Sequence, residues 1–213
     1  MKALCLPRLL AEHAQRTPDA VALLAPGRAP LPYGRLQQHV QDVVQRLQDM
    51  GVGRHDRIAV ALPNGPEMAV AFLTLAAGAT CAPLNPHSSA NELAVALPGL
   101  HVQALLVQAG IDSPARAVAQ AYGLEIIELS PLFEAEAGLF TLTSTGHRQA
   151  VSDGFAHPDD VALVLYTSGT TSQPKIVPLT HTNICTSADA TRAALVLREG
   201  DRCLNVQTAV SRD

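Results

Sequence analysis

The sequence predicts an α/β fold: a mostly parallel sheet flanked by helices. Three observations carry that expectation. Between positions 57 and 129, short apolar runs alternate with helix-period segments of roughly ten to fifteen residues, the pattern of βαβ units. Ala, Val and Leu supply the core, while aromatics are 3% with no Trp. That suits helices on buried parallel strands, not a β-sandwich or an aromatic platform for single-stranded nucleic acid. The 213 residues, 47% hydrophobic and 16% charged, exclude intrinsic disorder and suffice for one large domain or two small ones.

The elements follow in order. Residues 4–16 read as a first helix, with Leu9, Leu10 and His13 on related faces. The clearest helix is 34–50, where Leu36, Val40, Val43, Val44, Leu47 and Met50 form one stripe and Gly51 is placed just after the cap. Residues 57–62 form a short buried strand, closed by the turn signal Pro63-Asn64-Gly65. Pro66 sits at the first turn of a helix running to about 77, with Gly78 stopping it. A strand at 80–84 precedes Ser89-Ala-Asn-Glu92, a capping box that opens the next helix. Residues 103–108 are a strand, Ser113-Pro114 begins a helix ended by Gly123, and 124–129 is a strand again. Right-handed crossovers between such strands gather ligands at their carboxyl ends. Residues 130–158 lose the rhythm and read as a long surface loop or weak hairpin at 139–143, where a subdomain break is expected.

Charge and cysteine usage narrow the function. Fifteen basic against nineteen acidic residues, a net charge of −4 and a pI near 6.0 give no basic excess, so no nucleic-acid partner is expected. Residues 68–91 carry no charge and match the length of a membrane span. However, Gly78, Pro83, Asn85 and Pro86 break the second half, and no membrane span is expected. Cys5, Cys81, Cys185 and Cys203 lie far apart without a C-x-x-C pair, and the first residues hold too short an apolar run for a signal peptide. Reduced thiols and a cytoplasmic location follow as expectations. His13, His39, His55, His87, His101, His147 and His157 show no metal spacing, so no metal ligand is assigned. His181, near a helix start, reads as a cap or packing residue, and Tyr33 as packing. Asp159-Asp160 reads as a solvated turn, because adjacent residues entering a strand point to opposite faces.

One segment carries chemistry. Val161-Ala-Leu-Val-Leu-Tyr166 is a buried strand by composition, and Thr167-Ser-Gly-Thr-Thr-Ser-Gln-Pro-Lys175 follows directly. Five of the first six residues after the strand bear hydroxyls, the sixth is Gly169, and Lys175 closes the run. Hydroxyls and the N–H groups of a Gly-containing loop can wrap phosphate oxygens while a Lys adds a compact positive charge. The bland alternative, a solvated Ser/Thr loop, is favoured by the hydroxyls alone. The preceding strand, the single Gly and the terminal Lys reverse it. The run is neither a Walker A loop nor G-x-G-x-x-G, and no G-x-S-x-G or H-E-x-x-H occurs. A helix at about 182–197 is expected after Pro178-Leu-Thr-His181.

Tyr166-Thr-Ser-Gly-Thr-Thr-Ser-Gln-Pro-Lys175 resembles the phosphate-loop signature of the adenylate-forming superfamily: acyl-CoA synthetases, luciferases and peptide-synthetase adenylation domains. Leu31-Pro-Tyr33, Leu62-Pro-Asn-Gly-Pro-Glu67 and Leu75-Ala-Ala-Gly-Ala-Thr-Cys-Ala-Pro-Leu-Asn-Pro86 look like further segments of that family. With Val177-Pro-Leu-Thr-His181, the wording is most similar to the branch containing oxalate–CoA ligases, over residues 4–206. The resemblance implies that 1–213 is the N-terminal part of an adenylation domain without its C-terminal domain. It implies a two-step ligase: ATP and a small-molecule carboxylate give an acyl-adenylate and pyrophosphate, then a thiol, usually coenzyme A, takes the acyl group. An acyl-CoA synthetase of this kind points to fatty acid metabolism. By the same match Thr167, Ser168, Gly169, Thr170, Thr171 and Ser172 bind the β- and γ-phosphates, and Lys175 neutralises charge on them as the catalytic residue. Mg2+ accompanies the nucleotide, with its ligands outside this chain.

Three departures stand out. Ser172 replaces a common Gly, Ile176 stands where a Gly follows the Lys, and Gln207-Thr-Ala-Val-Ser-Arg-Asp213 replaces the expected Pro-x-Phe/Tyr-His continuation. The adenine pocket, acyl pocket and hinge of the family are expected beyond residue 213, so the chain by itself is expected to be inactive. A non-catalytic nucleotide-binding remnant is the alternative function, and a P-loop kinase-like protein is excluded by the Lys spacing.

Overall fold

A computed structural model describes residues 5–146, 148–151, 153–167 and 175–205, with only the backbone at Thr167. Helix α1 (Leu6–Arg16) leads into a small antiparallel ribbon, β1 (Val21–Leu23) and β2 (Leu31–Pro32), and then α2 (Tyr33–Asp49). The main sheet begins with β3 (Arg57–Ala61), α3 (Pro66–Gly78), β4 (Thr80–Pro83), α4 (Ala90–Leu100) and β5 (Ala104–Gln108). It continues through α5 (Pro114–Ala121), β6 (Glu125–Pro131), β7 (Phe140–Ser144), β8 (Val161–Thr167), β9 (Lys175–Thr180) and α6 (His181–Ala194).

The seven strands lie in the order β7-β6-β5-β3-β4-β8-β9. The five central strands are parallel, and each edge is an antiparallel hairpin partner, β7 on β6 and β9 on β8. The fold is therefore the expected α/β sheet, with the hairpin at 139–143 realised as β7.

Side chains alternate along every central strand, so the sheet has two cores. Ile58, Val60, Leu106, Ile127 and Leu129 face α2 and α3. Ala59, Ala61, Leu105, Val107 and Ile126 face α4 and α5. Helix α3 is sandwiched between α2 and the sheet, and Met68, Val70, Ala71, Thr74, Leu75, Ala76 and Ala77 are all buried. That burial accounts for the uncharged residues of the run that lie in α3, 68–78. None of the described helices is long and apolar enough to cross a membrane.

Local signals act as the sequence specifies. Gly51 takes φ +76°, with its N–H donating to the Gln48 carbonyl and that of Val52 to Leu47, a Schellman closure of α2. Gly123 repeats the arrangement on α5, with Leu124 N–H donating to Ala119. Ser89 and Glu92 form the expected reciprocal capping box. Gly78 differs: it is helical rather than a stop, and a methyl group there would meet both γ-carbons of Val44 at 3.1 Å. It permits close approach of α2 and α3.

Candidate functional site

The carboxyl ends of β3, β4, β5 and β8 share one edge of the sheet, since these strands are parallel. Strand β8 joins β4 there through the register pair Cys81 with Leu163 and a 2.7 Å hydrogen bond from Thr80 Oγ1 to the Val161 carbonyl. Val164 and Tyr166 turn toward the α4–α5 core, and Tyr166, near the end of β8, is half-buried.

Thr167 is the last residue of β8 and Lys175 the first of β9, and the two oppose each other in the antiparallel ladder. The candidate loop is thus the connection of a β-hairpin mounted on the carboxyl end of a central parallel strand. Lys175 is exposed and is the first paired residue of β9, opposite Thr167. Ser168, Gly169, Thr170, Thr171 and Ser172 lie outside the described residues.

Strand β9 is an element the sequence analysis did not assign between Lys175 and the expected helix. Lys175-Ile-Val-Pro-Leu-Thr180 pairs with β8 over its whole length. Pro178 is tolerated because β9 is an edge strand of the described sheet. Helix α6 then starts at His181 and ends at Ala194, three residues short of the expected 197. Its N-cap is Thr180, in a reciprocal box with Asn183.

His181 packs as expected and also caps a different helix. It is fully buried, and its Nδ1 accepts the N–H of Leu6 at 3.2 Å, an otherwise unpaired first-turn donor of α1. Burial holds its pKa below the ordinary value, partly offset by the Ala76 backbone and the Asp160 carboxylate; Nε2 finds no hydrogen-bond partner of good geometry. The turn at Asp159-Asp160 is present, but Asp160 is not solvated. Its carboxylate accepts from Arg54 Nη1 at 3.1 Å and from the His157 N–H at 2.8 Å, while its carbonyl accepts from the His181 N–H. Arg54, Asp160 and His181 therefore fix the entry to β8 and the exit from β9. No local motif announced that linkage. Tyr33 stacks on His13 with ring centroids 5.0 Å apart, a packing role.

A cleft of about 150 Å3 opens where connections diverge between β3 and β5, lined by Ala61, Pro63, Pro86, His87, Val107 and Gln108 among others. Its position is the topological switch point of the sheet. Its volume lies below the roughly 300–1,000 Å3 typical of small-molecule sites. Cys5, Cys81 and Cys185 are buried free thiols, and burial pushes the Cys81 pKa up to about 12. Cys203 is free and exposed.

Strand order, two cores and a carboxyl-edge hairpin place the chain among doubly wound α/β domains. It belongs to the AMP-binding enzyme family, matched over residues 10–209. It is 34% identical over 202 residues to an oxalate–CoA ligase of Arabidopsis thaliana, covering 92% of this chain and 39% of that protein. Nonribosomal peptide synthetase 8 of Aspergillus fumigatus is 31% identical over 203 residues, covering 94% of this chain and 2% of its own length. Among solved structures, the nonribosomal peptide synthetase FmoA3 superposes with a TM-score of 0.71 at 26% identity, over 97% of this chain and 20% of that one. The chain thus corresponds to an N-terminal portion and spans about 39% of the oxalate–CoA ligase it matches.

Proposed function

We propose that this chain is the N-terminal part of an ATP-dependent carboxylate–CoA ligase, which forms an acyl-adenylate and then an acyl thioester. The observation that carries the reading is the hairpin between Thr167 and Lys175 on the carboxyl end of β8, joined by the hydroxyl-rich run. In this reading Thr167, Ser168, Gly169, Thr170, Thr171 and Ser172 offer hydroxyls and N–H donors to the β- and γ-phosphates of ATP. Lys175, opposite Thr167 where the paired strands meet the loop, offsets the charge that moves onto pyrophosphate as the carboxylate attacks the α-phosphorus.

Coenzyme A as acceptor, in place of a carrier-protein thiol, is supported by the 34% identity to a protein named oxalate–CoA ligase. Among the described residues no group of three His, Cys, Asp or Glu side chains comes together to hold a metal, so the reading assigns no residue to the magnesium ion of ATP. It assigns no acyl substrate either.

The test is a hybrid in which residues 10–209 replace the matched segment of the Arabidopsis ligase. Oxalate-dependent ATP–pyrophosphate exchange is expected from the hybrid. A folded hybrid that neither binds ATP nor exchanges pyrophosphate sinks the reading.

A further inference from the structure

Helix α6 is packed on one face only, near its start. Of its fourteen residues only His181 and Cys185 are buried, one turn apart and so on a single face. His181 Nδ1 accepts the N–H of Leu6 at 3.2 Å, which brings that face to the start of α1. The peptide group that makes this donation is the one joining Cys5 to Leu6.

Cys5 is the N-cap of α1, where a hydroxyl or carboxylate ordinarily accepts from the first turn, yet its side chain makes no capping hydrogen bond. It is 7% exposed, against 2% for Cys185. Two free thiols, remote in sequence, thus share the buried junction where α6 meets α1. They are near enough to interact: burial raises the Cys185 pKa, and Cys5 raises it further. The other cysteines stand apart. Cys81 is enclosed in the sheet in register with Leu163, and Cys203 is exposed beyond α6.

We propose that Cys5 and Cys185 are a modification site, a reversible disulfide that ties α1 to α6 and forms by exchange with a low-molecular-weight disulfide such as oxidised glutathione. The Cys5 thiolate attacks one glutathione sulfur, the glutathione S–S bond breaks, and one glutathione leaves as thiolate. Cys185 then gives up its proton and attacks the Cys5 sulfur of the mixed disulfide, releasing the second glutathione. Two protein thiols are oxidised, one glutathione disulfide is reduced to two thiols, and the two protons end on the glutathiones. Cys5 reacts first because it is the less buried, whereas Cys185 holds its proton more tightly until the Cys5 charge is gone. Helix α6 follows directly on β9, so the bridge pins the exit of the β8–β9 hairpin to α1. The site is independent of the ligase reading.

The experiment incubates the full 213-residue chain in glutathione buffers of rising oxidised fraction, blocks free thiols by alkylation, and maps disulfides by mass spectrometry of an unreduced digest. A peptide pair linking Cys5 to Cys185 is expected as the dominant protein disulfide. The oxidised chain should melt about 4–16 °C higher, because the bridge closes most of the chain into one loop, and dithiothreitol should abolish the gain. Cys5→Ala and Cys185→Ala should each abolish it too, while Cys203→Ala keeps it. Mapping on the parent chain decides the matter even if a variant fails to fold. Three results overturn the proposal: Cys5 and Cys185 both still free at the most oxidising ratio, a linked pair that forms equally well in the urea-unfolded chain, or a melting gain that survives in Cys185→Ala.

Discussion

Lowering the pH from 7.5 to 5.0 should remove about 2 kcal/mol of stability through a single ring, that of His39. The ring is 4% exposed in the α2–sheet core, meets Phe140 edge-on with centroids 4.7 Å apart, and leaves Nε2 without a hydrogen-bond partner. Burial, aided by Arg35 and opposed by Asp42, lowers its pKa from 6.5 to about 4. Above pH 6.5 the folded and unfolded chains both hold it neutral. Below that, the unfolded chain binds a proton that the folded chain refuses until about pH 4, so stability falls as the pH falls. Each unit of pKa difference is worth about 1.4 kcal/mol, giving about 3 kcal/mol over the whole window and about 2 by pH 5.0. The assay is urea unfolding at both pH values for the parent chain and for His39→Leu, which removes the titrating group. The parent should lose about 2 kcal/mol more than the variant on acidification. Other titrating groups, His181 included, are common to both proteins and cancel. Equal losses in the two proteins would refute the argument.

Other expectations follow from particular contacts. Gly138→Ala should cost about 2–4 kcal/mol, because φ is +86° and a Cβ would lie 2.5 Å from Val70 Cγ2 and 2.8 Å from the Pro66 carbonyl; urea midpoints read it, and an unchanged midpoint contradicts the geometry. Thr80→Val leaves the Val161 carbonyl without its partner and should cost about 1–3 kcal/mol, with faster hydrogen exchange confined to β4 and β8. Ser89→Ala removes one half of the capping box and should cost about 1 kcal/mol; a neutral result would mean that Glu92 caps α4 unaided. Within the hybrid ligase, Lys175→Ala should lower ATP-dependent exchange by one to two decades, the value of a charge-assisted contact worth about 1.5–3 kcal/mol. A wild-type rate and nucleotide KM would remove Lys175 from the phosphate site.

Local order was legible where a residue's own neighbours decide its conformation. The α2 stripe and Gly51, the Ser89–Glu92 box and Gly123 each act within a few residues, and the structure reproduces them. Strand β9 was not read because its strand state comes from pairing with β8 across the connecting segment and not from a local signal. The Thr180–Asn183 box was a signal available in the sequence that could have placed the start of α6 at His181. The phosphate-loop candidate was visible as a run of residue types, but its mounting on a hairpin depends on that same pairing. Asp160 with Arg54, 106 positions apart, and His181 with Leu6, 175 apart, have no local signature at all. Burial and partner arrive together only once the sheet is assembled.

The bond from Leu6 N–H to the His181 ring sets a condition on biosynthesis. At roughly 5–20 residues per second, the acceptor leaves the ribosome about 9–35 s after the donor, because 175 positions separate them. Until then α1 has an unmet first-turn donor, and until β8 emerges β4 is an open edge carrying Cys81 and Ala82. The nascent chain must therefore wait with apolar strand exposed, and translation speed becomes a determinant of yield. Slower synthesis through 85–160 lengthens that exposure, so chaperone dependence should rise with every rare-codon pause placed there.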